Sequence, residues 1–161
     1  MERQLRAGKR FRWEAAHRLP HHSSDCRSLH GHSYRMTVEV EGTVGADGMV
    51  LDFQAIKKMV APLVQAWDHA TLVAAHDEEL LQIVKQVGWK HFVFPADTTS
   101  EHLAQYVAGY LCTEYRERLN KAGVQRVRVR LAETKTCYAE AERLLEAPVA
   151  VGDRTTGEAT L

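Results

Sequence analysis

The chain has 161 residues, with 21 basic side chains, 21 acidic side chains and nine histidines. A chain of this length is typical of a single domain that buries its own hydrophobic core. The net charge of zero argues against a general affinity for nucleic acid or for an anionic membrane surface.

Cysteine usage and hydrophobic patterning favour a cytoplasmic location. The three cysteines are odd in number and far apart in the sequence, unlike those of a secreted disulfide scaffold. No apolar run approaches the roughly 18 residues of a membrane span, and the opening MERQLRAGKR lacks the apolar stretch of a signal peptide. We therefore predict a cytoplasmic protein that binds neither membranes nor nucleic acid.

Two segments near the N-terminus alternate between apolar and polar side chains. The first runs from Phe11 to Leu19 and the second from His30 to Glu41. A period of two is typical of a strand with one face in water. Because the connecting residues PHHSSDCRS are rich in turn formers, the pattern predicts an antiparallel hairpin whose loop carries Cys26.

The middle of the chain has helical spacing. Asp52 is a candidate N-cap for a first helix, which Pro62 should kink or shorten. A second, shorter helix is expected from about Asp77 to the glycine at Gly88. The letters FVFP after it indicate a brief extended segment.

A third helix and two further strands complete the pattern. Thr98 and Glu101 have the spacing of a capping box, and Gly123 ends the helix that they open. VQRVRVRLAET alternates again, and CYAEAERLL predicts a weaker last strand. The expected fold is α+β, an antiparallel four-stranded sheet with helices on one face in ββααββ order. We predict one domain over 1–146 and a loose tail over 147–161.

Three histidines lie on the apolar faces of the predicted hairpin. His30 and His32 share a face because residues two apart in a strand point the same way, and His17 lies on the apolar face of the first strand. A single inward histidine is more often a hydrogen-bonded core residue than a ligand. Three together match a catalytic zinc site with three protein ligands and an open position, so we predict that His17, His30 and His32 bind Zn²⁺.

Other residues are candidates for the chemistry. Cys26 lies in a polar loop beside Arg27, close to the predicted metal, where a thiolate could act as a base or a nucleophile. Asp68 precedes His69 and could orient its imidazole, although adjacent side chains meet only with a particular backbone conformation.

Two glutamates have competing interpretations. Glu133 continues the apolar side of its predicted strand, and an unpaired buried carboxylate is costly. A planar N–H edge, such as that of a pterin or guanine, would satisfy it with two parallel hydrogen bonds; a place in water at the strand end is the equal alternative. For Glu101, the capping box is the simpler explanation.

Six stretches of the sequence resemble one enzyme family. EAAHRLP, CRSLHGHSY, VLDF, WDHATL, TTSEHL and AETKTCYAEA are similar, in order and spacing, to the 6-pyruvoyl-tetrahydropterin synthase family. The similarity is greatest to its bacterial branch, the 6-carboxy-5,6,7,8-tetrahydropterin synthases of queuosine biosynthesis, and it runs from Phe11 to Arg143. The cysteine followed after three residues by HGH is the most specific part.

The resemblance implies a T-fold whose subunits assemble, commonly as a hexamer of two trimers, with active sites between subunits. It gives Glu101 a ligand-binding role in place of the capping role. The site residues that it implies are His17, His30 and His32 for zinc, Cys26, Asp68 and His69 for catalysis, and Glu133, Glu101 and Thr99 for the pterin ring.

The implied substrate is 7,8-dihydroneopterin triphosphate, and the bacterial branch implies a lyase that forms 6-carboxy-5,6,7,8-tetrahydropterin, acetaldehyde and triphosphate. A pyruvoyl product of the same substrate is one alternative, and a non-enzymatic zinc protein with Cys26 as a fourth ligand is another. Two features depart from the family pattern: the segment from Val73 to Asp97 is longer than expected, and the chain extends past the usual end after Arg143.

Overall fold

The predicted N-terminal hairpin forms the centre of the sheet. The structure, a computed structural model, describes residues 4–145, and the hairpin consists of β1 (Gln4–His17) and β2 (His30–Thr43). The two strands pair antiparallel along their whole length, with Gln4 opposite Thr43 and His17 opposite His30. A short 3-10 helix, Asp25–Arg27, lies in the loop between them.

The remaining elements follow in chain order. They are α1 (Phe53–Trp67), β3 (Ala70–Ala74), α2 (Glu78–Val87), β4 (His91–Phe94), α3 (Ser100–Glu114), α4 (Arg116–Lys121), β5 (Val124–Ala132) and β6 (Tyr138–Leu144). The strands form one sheet in the order β4-β3-β1-β2-β5-β6. The α+β class is as predicted.

The prediction of four antiparallel strands is wrong in strand number and in orientation. The sheet has six strands in the described part of the chain, and β3 and β4 run parallel to β1. All five residues of β3 are buried, because Leu72 joins the main core while Val73 packs against α2. A strand covered on both faces shows no apolar-polar alternation, and the sequence pattern therefore does not reveal it.

The position of α2 also corrects the prediction that all helices cover one face. Leu80 and Val84 of α2 cluster with Val73, whereas the main core contains Leu72. Consecutive strand residues point to opposite faces, so α2 covers the face of β3 that is turned away from the main core. Most of the long segment from Val73 to Asp97 is α2 and β4.

The first two helices begin after the N-cap residues that the sequence predicts. Asp52 accepts a hydrogen bond from Gln54 N at 2.8 Å, and Asp77 accepts one from Leu80 N at 3.2 Å. Gly88 ends α2 with a φ of 77°, in the left-handed region that glycine adopts most easily. Pro62 does not shorten α1, which continues to Trp67.

The third helix differs from its prediction at both ends. Its N-cap is Thr99, whose Oγ1 accepts from His102 N at 3.3 Å, so the predicted capping box of Thr98 and Glu101 is wrong. The helix also does not reach Gly123 as one piece, because α3 ends at Glu114 and the separate helix α4 follows.

The main core leads directly to the histidines. Trp13 stacks on Tyr34 of the neighbouring strand, with ring centroids 5.3 Å apart, and also contacts Trp67 of α1. His17 lies on the same face of β1 as Trp13 and is buried. The aromatic side chains of the core therefore pack next to His17 at the end of the hairpin.

Two expectations reach beyond the described residues. The predicted tail, 147–161, and the exact domain end at 146 lie outside them and stay predictions. Within residues 4–145, no helix is both long and apolar enough to cross a membrane.

Candidate active site

The three predicted ligand histidines meet at one end of the hairpin. His17 is the last residue of β1 and lies directly opposite His30, the first residue of β2. His32 is two residues further along β2 and shares the face of His30. One nitrogen of each ring lies within 4.8 Å of the corresponding nitrogens of the other two. We call this group the histidine cluster.

Hydrogen bonds on the far side of two rings determine their tautomers. His17 Nδ1 lies 2.8 Å from the backbone oxygen of Thr98, and His30 Nδ1 lies 2.7 Å from the backbone oxygen of Ser28. A carbonyl only accepts, so each Nδ1 carries the proton and each Nε2 keeps its lone pair for the cluster. Carbonyl partners of this kind orient the histidine ligands of many metal sites.

The cluster fits a metal ion on two further observations. His17 Nε2 is buried and has no hydrogen-bond partner in the described chain, which would be costly unless a ligand used its lone pair. Burial also lowers the pKa of His17 and of His32, and this favours the neutral imidazole that binds metals. His17, His30 and His32 could therefore hold a metal ion.

Glu133 lies at the rim of the histidine cluster, directly after the end of β5. Its carboxylate oxygens are each 3.9 Å from an Nε2, one from that of His17 and the other from that of His32. The side chain is 23% exposed, so it is neither in bulk water nor sealed in the core. Its carboxylate can thus face a ligand that occupies the space above the cluster.

The pair Asp68 and His69 forms as the sequence suggests. His69 Nδ1 is 3.0 Å from Asp68 Oδ1, and the same oxygen accepts from the backbone N–H of Glu14 at 3.0 Å. That N–H bond, followed by the contact with His69, lowers the pKa of Asp68. Adjacent side chains can meet here because His69 has a φ of 58°.

His69 opens onto a pocket of about 580 Å³. The pocket is also lined by Trp89, Leu29 and Ser33, and its size suits a small organic ligand. His32 is the member of the histidine cluster that reaches its wall. The pocket therefore connects the Asp68–His69 pair with the edge of the cluster.

Cys26 lies in the loop above the hairpin end and is a free, half-buried thiol. A hydrogen bond from Leu19 N to the Cys26 carbonyl, 2.8 Å long, holds the loop. Between residues 4 and 145, no hydrogen bond joins the thiol to His69, and the metal-capable group consists of the three histidines without Cys26. One chain thus brings His17, His30, His32 and Glu133 together but does not join Cys26 to the Asp68–His69 pair.

The two predicted contacts on α3 are not part of the cluster. Thr99 is engaged as the N-cap, and Glu101 is exposed in the first turn of the helix. Thr98, one residue earlier, is the one that touches the cluster, because its backbone oxygen and its Oγ1, at 3.2 Å, both contact His17 Nδ1.

Tyr34 is a second residue that the sequence reasoning missed. It has no exposed surface, its ring lies 5.5 Å from that of His32, and its hydroxyl has no partner in the described chain. Burial raises the pKa of this hydroxyl, which keeps it neutral. The alternation of side chains along β2 could have identified Tyr34, since it lies on the same face as His30 and His32.

Comparisons with known proteins identify the family of the chain. The family model described as 6-pyruvoyl tetrahydropterin synthase matches residues 7–144. A 6-carboxy-5,6,7,8-tetrahydropterin synthase of Haemophilus influenzae is 31% identical over 144 residues, which cover 84% of this chain and 97% of that protein. A protein of the same name from Aquifex aeolicus is 31% identical over 157 residues, covering 82% and 94%.

Solved structures share the fold. A 6-pyruvoyl tetrahydropterin synthase of Plasmodium falciparum superposes with a TM-score of 0.72 at 18% identity, covering 88% of this chain and 98% of that one. The corresponding protein of Caenorhabditis elegans gives 0.60 at 22% identity, covering 88% and 97%. The T-fold expectation is thereby confirmed, and the chain belongs to the 6-pyruvoyl tetrahydropterin synthase family of enzymes.

Proposed function

We propose that the chain is a zinc-dependent lyase that converts 7,8-dihydroneopterin triphosphate into 6-carboxy-5,6,7,8-tetrahydropterin, acetaldehyde and triphosphate, as in queuosine biosynthesis. The observation that carries the proposal is the convergence of three imidazoles on one point with a carboxylate at its rim. The names of the curated relatives support the substrate class and the product.

Zinc is the metal that the donor set favours. Neutral imidazoles are ligands that zinc binds well, and three of them leave a position free for substrate. When bound, the ion supplies Lewis-acid polarisation of an oxygen on the substrate. The protein's part is to keep Nε2 of His17 and of His30 unprotonated, which the Thr98 and Ser28 carbonyls do by accepting from Nδ1.

Glu133 is the residue that we assign to the pterin ring. Its carboxylate faces the space above the cluster and can accept two parallel N–H bonds from the amino group and ring nitrogen of a pterin. This would place the substrate's side chain over the histidines. We assign the second ring contact to Glu101 and Thr99, which closely follow the His17 partner Thr98 at the start of α3.

Proton transfer is assigned to Cys26 and His69. The Cys26 thiolate accepts a proton from the substrate's side chain. The His69 imidazole, held at Nδ1 by Asp68, accepts or returns a second proton at Nε2. Triphosphate leaves by elimination. A water molecule then adds to the side-chain carbonyl next to the ring, and cleavage between the first two carbons of the side chain gives the carboxylated pterin and acetaldehyde.

The site is proposed to lie between subunits of a homo-oligomer, a hexamer of two trimers. Within residues 4–145 no hydrogen bond joins Cys26 to the Asp68–His69 pair, and the family resemblance implies active sites between subunits, so we assign the thiol and the relay of one site to two copies of the chain. The free state of all three cysteines is consistent with the proposed cytoplasmic location.

Incubation with 7,8-dihydroneopterin triphosphate, with products resolved by mass, tests the reaction. Acetaldehyde together with a carboxypterin is the expected outcome. A pyruvoyl pterin without acetaldehyde would support the second candidate, the activity after which the family model and the solved structures are named. Formation of neither product by zinc-loaded protein would refute both.

A Cys26→Ala variant separates the enzyme from a non-enzymatic zinc protein. Because Cys26 is outside the metal-capable group, we expect the variant to bind zinc with unchanged stoichiometry and affinity while turnover falls by about 10²-fold or more. His30→Ala is the matched control, since it should lose both zinc and turnover. Loss of zinc from Cys26→Ala would instead identify the thiol as a structural ligand.

A further inference from the structure

The polar face of the sheet divides into two halves with different charge balance. In the half towards the start of β1, cations and carboxylates are paired across the strands. Arg128 contacts Glu41 at 2.9 Å and Glu142 at 3.0 Å, and Arg126 lies 3.4 Å from Glu142. These arginines need no further partner.

The other half carries cations without matching carboxylates. Arg10 and Arg35 have no ion-pair partner in residues 4–145, and Arg12 reaches only Glu14, at 3.8 Å. That carboxylate also accepts a 2.6 Å hydrogen bond from the hydroxyl of Ser33. Positive charge is therefore in excess here, although the whole chain is neutral.

Two of these arginines face each other across neighbouring strands, which places like charges side by side. Arg12 and Arg35 are direct cross-strand partners in the antiparallel pairing of β1 with β2. Like charges placed directly opposite each other destabilise a sheet. A local arrangement that opposes stability without compensation inside the chain is a reason to look for a ligand that supplies it.

The cations line one groove. It has a volume of about 870 Å³ and contains Arg10, Arg12, Arg35 and Lys135, together with Arg130, which is paired with Glu140 at 3.5 Å. Arg130 lies over the ring of Tyr138, 3.5 Å from its centroid, which holds one wall of the groove in place. The groove can contain a linear triphosphate, whose oxygens suit the forked N–H donors of arginine.

We propose that this groove binds an oligophosphate anion through Arg10, Arg12 and Arg35, at a site separate from the histidine cluster. The carboxylates of Glu39 and Glu140 lie at the same groove, 4.0 Å from Arg6 and 3.5 Å from Arg130 respectively. They confine the excess positive charge to a short stretch, which does not suit a long polyanion such as nucleic acid. A short, highly charged group is the chemistry that the arrangement favours. Arg12 and Arg35 lie on the face of the sheet opposite to the histidine cluster. The source of the anion is therefore either free triphosphate or the triphosphate tail of a substrate bound at the cluster of another subunit.

Calorimetric titration with inorganic triphosphate tests the site. The titration is done in a His30→Ala background, so that a metal at the cluster does not bind the anion, at about 0.15 M salt to screen distant charges. We expect saturable binding, weakened about tenfold or more in Arg12→Gln/Arg35→Gln. The matched control, Arg126→Gln/Arg128→Gln, removes the same charge from the same face and should change the affinity by less than about threefold.

Binding by Arg12→Gln/Arg35→Gln that equals the parent, or an equal loss in the two double variants, would overturn the proposal. Thermal unfolding shows that the variants fold, and the Arg12→Gln/Arg35→Gln pair should not lower the Tm, because it removes a repulsion. Since the titration contains no turnover, its result does not depend on whether the proposed reaction is correct.

Kinetics in the otherwise unmodified protein identify the source of the anion. A raised KM for 7,8-dihydroneopterin triphosphate in Arg12→Gln/Arg35→Gln would assign the groove to the substrate's tail. An unchanged KM with weaker inhibition by inorganic triphosphate would assign it to the free anion. Kinetics in which neither quantity changes would contradict the site.

Discussion

His69 has a left-handed backbone conformation that joins it to Asp68 and to β1. It is the one non-glycine residue with a positive φ in the described chain, 58°. The left-handed conformation costs about 1–2 kcal/mol for a residue with a β-carbon, but it lets the ring reach Asp68 while the backbone N–H donates to Glu14 O at 2.6 Å. Strain of this kind concentrates at functional sites.

Replacing His69 with glycine or alanine should separate the cost of its left-handed backbone from the role of its imidazole in turnover. Both variants lose the imidazole, so we expect turnover to fall by about 10²–10⁴-fold in each. His69→Gly should nevertheless be more stable than His69→Ala by about 0.5–1 kcal/mol, a Tm difference of about 1–4 °C. Differential scanning calorimetry and steady-state kinetics measure the two effects.

Ala66→Gly in α1 is the control for the glycine effect. At this right-handed position in the last turn of α1, where the methyl group of Ala66 also packs against the core, the same exchange should lower stability by at least about 0.5–1 kcal/mol. If glycine lowered stability at both positions alike, the conformation of His69 would carry no strain.

Single residues differ in how far the sequence predicts them. His17, His30 and His32 were predictable because strand parity determines which side chains share a face, and the register of β1 with β2 confirms the convergence. Thr98 was not, because its contact with His17 joins residues 81 positions apart through a backbone oxygen. A backbone acceptor leaves no signature in the side-chain pattern.

At the scale of elements, α2 anchors the loop that follows β1. Arg18, next to the cluster residue His17, donates from Nε to Asp77 at 2.6 Å and from a terminal nitrogen to Asp77 at 2.5 Å and to Glu79 at 2.8 Å. Asp77 is buried and is also the N-cap of α2. One carboxylate thus joins the helix, the strand end and the histidine cluster.

Asp77→Ala should destabilise the protein by about 2–4 kcal/mol, because it removes a helix cap and leaves the half-buried guanidinium of Arg18 with Glu79 as its one remaining ion-pair partner in the described chain. Asp52→Ala, which removes an exposed cap of α1 with no ion pair, should cost only about 1 kcal/mol. Denaturant unfolding of both variants measures the difference. Equal losses would show that the ion pair with Arg18 contributes nothing.

The same carboxylate gives a pH dependence with a definite sign. The hydrogen bonds from Arg18 lower the pKa of Asp77 in the folded protein. Its stabilisation is therefore complete above the unfolded pKa, near 3.9, and is lost as pH falls through the lower folded value. Below about pH 4, the free energy of unfolding should decrease more steeply in the parent than in Asp77→Ala. Parallel acid unfolding curves would contradict this.

The elements also show where sequence patterns stop being informative. β1, β2 and β5 each keep one face in water, so their alternation predicted them. β3 is covered on both faces and has no alternation, and its parallel pairing with β1 depends on a contact between distant segments. The parallel part of the sheet could therefore not be predicted from local pattern.

At the scale of the whole molecule, we expect the proposed site to be divided between copies of the chain. One chain joins the histidine cluster to Glu133 and His69 to Asp68, and the pocket beside His69 reaches His32, while no hydrogen bond within residues 4–145 joins Cys26 to that pair. If each site takes its thiol from one subunit and its relay from another, a mixed oligomer can contain complete sites even when every subunit carries a defect.

Mixing Cys26→Ala with His69→Ala subunits tests this division. After the two inactive variants are unfolded together and refolded, or co-expressed, sites that pair an intact Cys26 from one variant with an intact His69 from the other should be active. Random mixing of equal amounts predicts about a quarter of the sites complete, because each intact residue is present in half of the subunits. The control, Cys26→Ala mixed with Cys26→Ala/His69→Ala, supplies no intact thiol and should stay inactive.

Activity that remains absent in the first mixture, with mass measurement showing mixed oligomers, would place Cys26 and His69 of the same chain in one site. The subunit boundary would then have to lie elsewhere.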